Sequence, residues 1–346
     1  MNILFLTRRF FPSVGGVETH VLEISKRLVA MGHTVTVIAE ELNVARNTVT
    51  HKSTHSGIEV LRIKGGANDW FKKFRIWEQM WSLRKIIKNA DIVHCHDVFF
   101  WYFPLRLLYP GKHVYTTFHG YETIFPVDKK AIIVRKISEK LSSGNICIGD
   151  YISKWYGTKP DYVTYGGVEI FNSQFSISDE EINSKMRITL IGRMDKDIGV
   201  NTYLKAIDAL KKKGIRFSFK AYGAGKLTKK VGKYGRLAGF SNDPIKVMEG
   251  SDIIFCSSYL LILQALVLKK VVVAVYENPL KEDYLRKSPF ANYIFICKDA
   301  NEVSRVVTSV EKDAWKYNSM IEKGYDFAKE QTWDRVTNTY RMLWKI

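Results

Sequence analysis

The chain has 346 residues, of which 46% are hydrophobic and 25% charged, and a formal net charge of +18. That length exceeds one ordinary core and points to two domains, while the composition excludes disordered and fibrous classes. The basic excess requires an anionic partner. With no zinc-finger spacing and no aromatic-basic RNA signature, nucleic acid is not expected, which leaves phosphate-bearing small molecules and anionic membrane surfaces.

In chain order, an apolar strand at 2–7 runs through Phe11-Pro12-Ser13-Val14-Gly15-Gly16 into a helix with Val17, Val21, Ile24 and Leu28 at helical spacing. Gly32 stops that helix, and a second strand follows at 34–38, which completes a βαβ unit. Residues 69–88 set Trp70, Phe74, Trp77 and Trp81 at helical spacing among Lys72, Lys73, Arg75, Arg84, Lys85 and Lys88. Such a helix either buries its aromatic stripe on the first sheet or lies in a membrane interface. Phe99–Pro104 is a second aromatic cluster open to the same two readings. Further strands are expected at 92–95, 114–118, 145–148 and 162–164, so the first half reads as a parallel, doubly wound sheet.

The rhythm restarts at Arg187–Arg193 after a polar stretch at 172–184, and strands recur at 217–221, 236–238, 253–256, 271–275 and 294–297. Residues 313–346 read as helix almost throughout, with Tyr325, Phe327, Trp333, Val336, Tyr340 and Leu343 as candidate anchors. The fold class is therefore α/β with two similar halves in series. Ligands of such sheets bind beyond the carboxyl ends of the strands. Cys95, Cys147, Cys256 and Cys297 each sit in an apolar run without Cys-x-x-Cys spacing, which fits buried free thiols in a reducing compartment. No run is long enough to span a bilayer, and the opening residues lack a cleavage site, so the expected location is cytoplasmic.

Several residues at strand ends carry chemistry. Gly15 and Gly16 precede a helix amino terminus, where free N–H groups attract anions, although the pattern is neither Gly-x-Gly-x-x-Gly nor a Lys-terminated phosphate loop. A dinucleotide-dependent dehydrogenase is thus unsupported. His94 and His96 flank the end of one strand beside Asp97, and alternation marks that pair as satisfied structural groups. His119 is different, because Thr117-Phe118-His119-Gly120 aims its imidazole out of the sheet. Arg193 follows a strand and a glycine, where a guanidinium can clamp a diphosphate bidentately, and Lys196 lies close by. Asp195-Lys196-Asp197 resembles an Asp-x-Asp metal clamp only superficially, and no metal is expected.

In order along nearly the whole chain, these landmarks resemble glycosyltransferase family 4, the retaining transferases of the GT-B fold. The matching segments are Phe11–His20, Gly32-His33, Thr117–Gly120, Tyr165–Glu169, Gly192-Arg193, Tyr222–Gly225, Ser251–Ser258 and Gln331-Thr332-Trp333. The resemblance implies two Rossmann-like doubly wound parallel-sheet domains facing across a cleft: an acceptor-side domain at 1–168, a nucleotide-sugar domain at 169–325 and a helix at 326–346 returning to the first. It implies a UDP- or GDP-sugar donor held by Gly15, Gly16, Arg193, Lys196, Gly223, Tyr259 and Gln264. A glycan or lipid-linked acceptor would be held by Asp97, His119 and Glu122. His119 and Arg193 would be catalytic, and no cofactor is needed because the nucleotide sugar is a substrate.

Two departures from the family pattern bear on activity. The lysine usual before the glycine is Ile198, and the Ser257–Leu266 segment lacks a Gly-rich loop, lacks the first glutamate and has Gln264 at the second. An alternative is therefore a catalytically weak or inactive glycosyltransferase-like partner subunit. A sugar-nucleotide epimerase is a rival of similar build, but no acid/base set for it can be assembled. The basic aromatic stretch leads us to expect peripheral association with the cytoplasmic face of an anionic membrane.

Overall fold

The computed structural model describes residues 1–41, 52–67, 69–120, 125–170, 185–239, 241 and 243–346; Glu122 and the polar stretch at 172–184 lie outside the described residues. The chain divides into two units, residues 1–164 with 333–346, and residues 165–332.

The first unit is built on β1 (Asn2–Thr7), β2 (Thr34–Glu40), β3 (Lys52–His55), β4 (Ile58–Ile63), β5 (Ile92–His96), β6 (Val114–Phe118), β7 (Gly144–Ile148) and β8 (Tyr162–Thr164). They form one sheet in the order β3-β4-β2-β1-β5-β6-β7-β8. Every pairing is parallel except β3 with β4. Sequence reading missed that hairpin because β3, Lys-Ser-Thr-His, is a polar edge strand. Its two-residue turn, Ser56-Gly57, has positive φ at both positions, as the twist of a tight hairpin requires. The central strands are continuous apolar runs because helices cover both faces, and β1 buries all but its first residue.

The second unit holds β9 (Met186–Ile191), β10 (Phe217–Tyr222), β11 (Arg236–Leu237), β12 (Ile253–Phe255), β13 (Val271–Val275) and β14 (Phe295–Cys297). Their order is β11-β10-β9-β12-β13-β14, parallel throughout. In both sheets the first strand of the unit lies between neighbours reached in opposite directions. The crevice beyond its carboxyl end is where an open α/β sheet places its ligand. The sites to inspect are thus Thr7–Arg8 with His96–Asp97, and Gly192–Arg193 with Cys256–Ser257.

The chain returns to the first unit later than expected. Helix Asn318–Lys329 packs on helix Tyr259–Val267 of the second unit, and only helix Trp333–Trp344 packs on the first helix, Gly16–Ala30. Residues 326–332 therefore stay with the second unit. The switch is made at Thr332-Trp333, where Trp333, Val336, Tyr340 and Leu343 present a buried stripe.

The basic aromatic stretch is two helices, Lys72–Ser82 and Arg84–Asn89, rather than one. Its buried face is aliphatic, with Ile76, Met80, Leu83 and Ile87 facing the core, while Trp70 is 80% exposed and Phe71, Phe74 and Trp81 are at least half exposed. Trp77 is half-buried and donates its indole N–H to Phe100 O (2.7 Å), while the other aromatics of the stripe face outward. Phe99, Trp101 and Tyr102 do belong to the core. All four cysteines are buried free thiols, and burial pushes Cys147 and Cys297 up to about 12.

Candidate active site

At the carboxyl ends of β1, β5 and β6, four imidazoles from distant parts of the chain come together. Trp344 donates its indole N–H to His94 Nδ1 (3.0 Å), so the His94 proton sits on Nε2 and is donated to Thr117 Oγ1 (2.7 Å). Thr117 in turn donates to Tyr340 Oη (2.7 Å), and Tyr340 donates to His20 Nε2 (2.9 Å). An indole N–H cannot accept, which fixes the His94 tautomer, and the later directions follow if the buried Thr117 hydroxyl, already accepting from His94, uses its one proton on Tyr340. His94 is thus the satisfied structural group expected of it.

His96 is held differently. Its Nδ1 lies 3.0 Å from His119 Nε2, and its own Nε2 is buried without a partner. A buried N–H without an acceptor is rarer than an idle lone pair, which favours the tautomer in which His96 donates and His119 keeps its proton on Nδ1. Half-buried His119 then offers an N–H donor. Its main chain is fixed from both sides. Its N–H donates to the two Asp97 oxygens (3.1 and 3.2 Å), and its carbonyl accepts from Tyr151 (3.0 Å). Asp97, at φ 58, is backed by buried Arg135 at 3.7 Å, whose guanidinium lies against the rings of Phe118 and Tyr156.

Desolvation dominates the charge state of the cluster. Burial lowers His20 to about 3, and burial followed by neighbouring imidazoles holds His94 and His96 well below the usual histidine range. His119 is lowered by burial, then by His20 and Arg135. All four are neutral at pH 7, fitted to hydrogen bonding rather than to holding a charge.

Gly15 and Gly16 begin the first helix without a side-chain cap, and a Cβ on Gly16 would meet nothing. Glu18 folds its carboxylate back over Gly15, the place an anion would take at this helix start.

The second unit's strand ends are assembled by glycine contacts. Gly223, at φ +138, lies so close to Gly192 that a Cβ would fall 1.8 Å from the Gly192 carbonyl oxygen. A Cβ on Gly225 would likewise fall 2.5 Å from Met194 O, so the loops after β9 and β10 pack main chain on main chain. On their rim Arg193 is 55% exposed and reaches Asp197 (3.0 Å) and Asp195 (3.4 Å). The two carboxylates of the Asp-x-Asp sequence therefore orient a guanidinium. Lys196 is exposed with no carboxylate partner among the described residues, while Ile198, where the family lysine is expected, is buried.

Tyr259 departs from its expected role. It is 3% exposed, stacks on Tyr284 at 3.8 Å and donates its hydroxyl to Tyr284 O (2.6 Å). Its main-chain N–H, at the start of helix Tyr259–Val267, donates to Tyr284 Oη (2.9 Å). Fully buried Lys281 lies 3.7 Å from the Tyr284 ring and donates to Ser257 O (2.6 Å). A tyrosine hydroxyl thus occupies the main-chain donor at this helix start. Gln264 is half-buried, and its amide bonds to no described residue.

Residues 14–160 match the model of Glycosyltransferase Family 4. A 125-residue segment is 28% identical to a GDP-mannose:cellobiosyl-diphosphopolyprenol alpha-mannosyltransferase of Xanthomonas oryzae pv. oryzae, covering 35% of this chain and 31% of that protein. Matched segments span 31% to 60% of the length of the curated relatives. Sucrose-phosphate synthase from Thermosynechococcus elongatus superposes with a TM-score of 0.74 at 13% identity over 99% of this chain and 98% of that one. Anabaena HepE, solved with UDP and glucose, gives 0.74 at 14% identity over 100% and 99%. At such identities the structural likeness establishes the fold, two Rossmann-like domains of the GT-B kind.

Proposed function

We propose that this chain, a glycosyltransferase family 4-like protein of the GT-B fold, is a retaining, metal-independent hexosyltransferase that moves a sugar from a UDP- or GDP-sugar to a glycan or lipid-linked acceptor. The observation that carries this reading is the exposed Arg193 guanidinium, held by two carboxylates on the rim of the glycine-packed loops. An aimed cation at the end of the first strand of the sheet suits the charge that grows on a departing diphosphate. Lys196 is the second cation available, and Gly223 and Gln264 would complete the donor contacts.

On the acceptor side, Asp97 would take a hydroxyl hydrogen bond and the N–H of His119 would contact the transferred sugar. The acceptor hydroxyl attacks the anomeric carbon on the face the diphosphate leaves, and the leaving phosphate takes its proton. Glu122, the third expected acceptor contact, lies outside the described residues. The printed activities of the Xanthomonas relative and the UDP of the Anabaena structure support a nucleotide-sugar donor of this kind.

The alternative, a catalytically weak or inactive partner subunit, is favoured by one observation: Tyr284 Oη takes the helix N–H at Tyr259. Calorimetry with a panel of UDP- and GDP-sugars separates the two. Binding to none of them overturns the transferase reading, whereas one tight donor followed by product formation with a glycan or lipid acceptor supports it. Lys196→Ala is expected to weaken nucleotide binding about tenfold through the lost charge-assisted contact.

We also place the protein in the cytoplasm, at the surface of an anionic membrane. Exposed Trp70, Phe71, Phe74 and Trp81 beside Lys73, Arg84, Lys85 and Lys88 support this, with Leu107 and Leu108 exposed on the neighbouring helix. No described helix is long and apolar enough to cross a membrane. Failure to co-sediment with anionic vesicles at low salt would remove this part of the reading.

A further inference from the structure

A cavity of about 260 Å³ opens at the crevice of the first sheet, lined by Arg8, Glu40, Asp69, Lys72, Lys73, Asp97, Phe100 and Trp101 among others. Its volume is below the roughly 300–1,000 Å³ of pockets for drug-sized ligands, which suits a single headgroup. All three carboxylates already have cations. Glu40 pairs with Arg8 and Lys72, Asp69 with Arg75, and Asp97 with Arg135. The wall carries three cations, Arg8, Lys72 and Lys73, against those three carboxylates, but Asp69 and Asp97 are answered by Arg75 and Arg135 from outside the wall, which leaves cation capacity on the wall unused. Among the described residues Lys73 meets no carboxylate, its ammonium standing 6.0 Å from the Phe100 ring, and the Arg8 side chain is 59% exposed at 3.8 Å from its one partner.

We infer that this cavity binds the phosphate of the acceptor, with Lys73 and Arg8 as the phosphate contacts. The inference rests on the acceptor assignment above and deepens it. A phosphate is the group that two under-used cations beside an aromatic face and satisfied carboxylates would recognise, since a neutral sugar leaves both cations unanswered. Asp97 joins the cavity to the chemistry, because the carboxylate on its wall also holds the main-chain N–H of His119. The wall residues Asp69 and Lys72 flank Trp70 and Phe71, which are 80% and 64% exposed. An apolar chain attached to the phosphate would leave the cavity along those rings. A lipid phosphate and a soluble sugar phosphate share the recognised group.

The test is calorimetry on the full chain without donor, using dodecyl phosphate below its micellar concentration, glucose 1-phosphate, and dodecyl glucoside as the phosphate-free control. Binding of either phosphate, weakened about tenfold by Lys73→Gln and by Arg8→Gln, supports the site. Tighter binding of dodecyl phosphate identifies a lipid source, and tighter binding of glucose 1-phosphate a soluble one. The site is overturned if both substitutions leave the affinities unchanged, if the glucoside binds as well as the phosphates, or if Arg193→Ala alone removes phosphate binding. UDP titrated into the same samples keeps the two readings apart, because loss of UDP binding sinks the donor assignment and leaves the phosphate result standing.

Discussion

The strand ends of the two sheets solve the burial of polar groups in opposite ways. In the first unit, side chains separated by as many as 320 residues, His20 and Tyr340, share one directional hydrogen-bond chain, and the imidazoles are kept neutral. In the second, main chain packs on main chain through Gly192 and Gly223, Arg193 stays at the rim, and the buried Lys281 ammonium is met by the Ser257 carbonyl instead of a side-chain network of imidazoles. The first region thus holds neutral titratable groups in its interior, whereas the second presents an exposed guanidinium at its rim.

The largest effect separating them is expected in acid. The folded-state pKa of each clustered histidine is below its unfolded value, so below pH 6.5 the unfolded chain takes up protons that the folded chain refuses. The stability these groups contribute is present above pH 6.5 and declines as pH falls towards the folded pKa. For His20 that point is about 3. Urea unfolding from pH 8 to pH 4 should show the decline, and His20→Asn should reduce its slope by one histidine's share. A stability independent of pH below 6.5 would break the comparison.

Next in size is Arg193→Ala. Removing a preorganised partner of the leaving group costs about 10²- to 10³-fold in turnover. With its side chain 55% exposed, the unfolding midpoint should stay where it was. Turnover unchanged by this substitution would move the donor chemistry away from the end of β9. Tyr340→Phe is the matching experiment in the first unit. It takes the hydroxyl from between Thr117 and His20, both buried, and should cost about 1–3 kcal/mol in urea unfolding.

The smallest effect sharpens the comparison most. Tyr284→Phe removes the acceptor of the Tyr259 N–H while keeping the stacked ring, at a cost of about 1 kcal/mol. If that helix start is a blocked phosphate seat, UDP binds more tightly to the variant in calorimetry. An unchanged affinity puts the phosphates on Arg193 and Lys196 alone.

Much of this was legible in advance. The strand rhythm, the restart near Arg187, the buried cysteines and the structural part of His94 follow from periodicity and spacing, which the chain carries locally. The β3–β4 hairpin was not: polar β3 has no apolar alternation to read, and the apolar run of β4 was left without a partner strand. The stretch at 69–88 left two readings open, because helical spacing of Trp and Phe does not say which face packs; Ile76 and Met80, one position from Trp77 and Trp81, make the core contact.

What the sequence determined by itself is most of the strand rhythm and the residues that end the first strand of each sheet, since a parallel sheet covered on both faces requires continuous apolar strands. Only the tertiary structure decided which polar groups meet. Trp344 reaching His94, Tyr284 satisfying Tyr259, and Arg8 sharing a cavity with Lys73 depend on where helices land on a sheet. That placement is set by packing complementarity between distant segments, which no local pattern encodes.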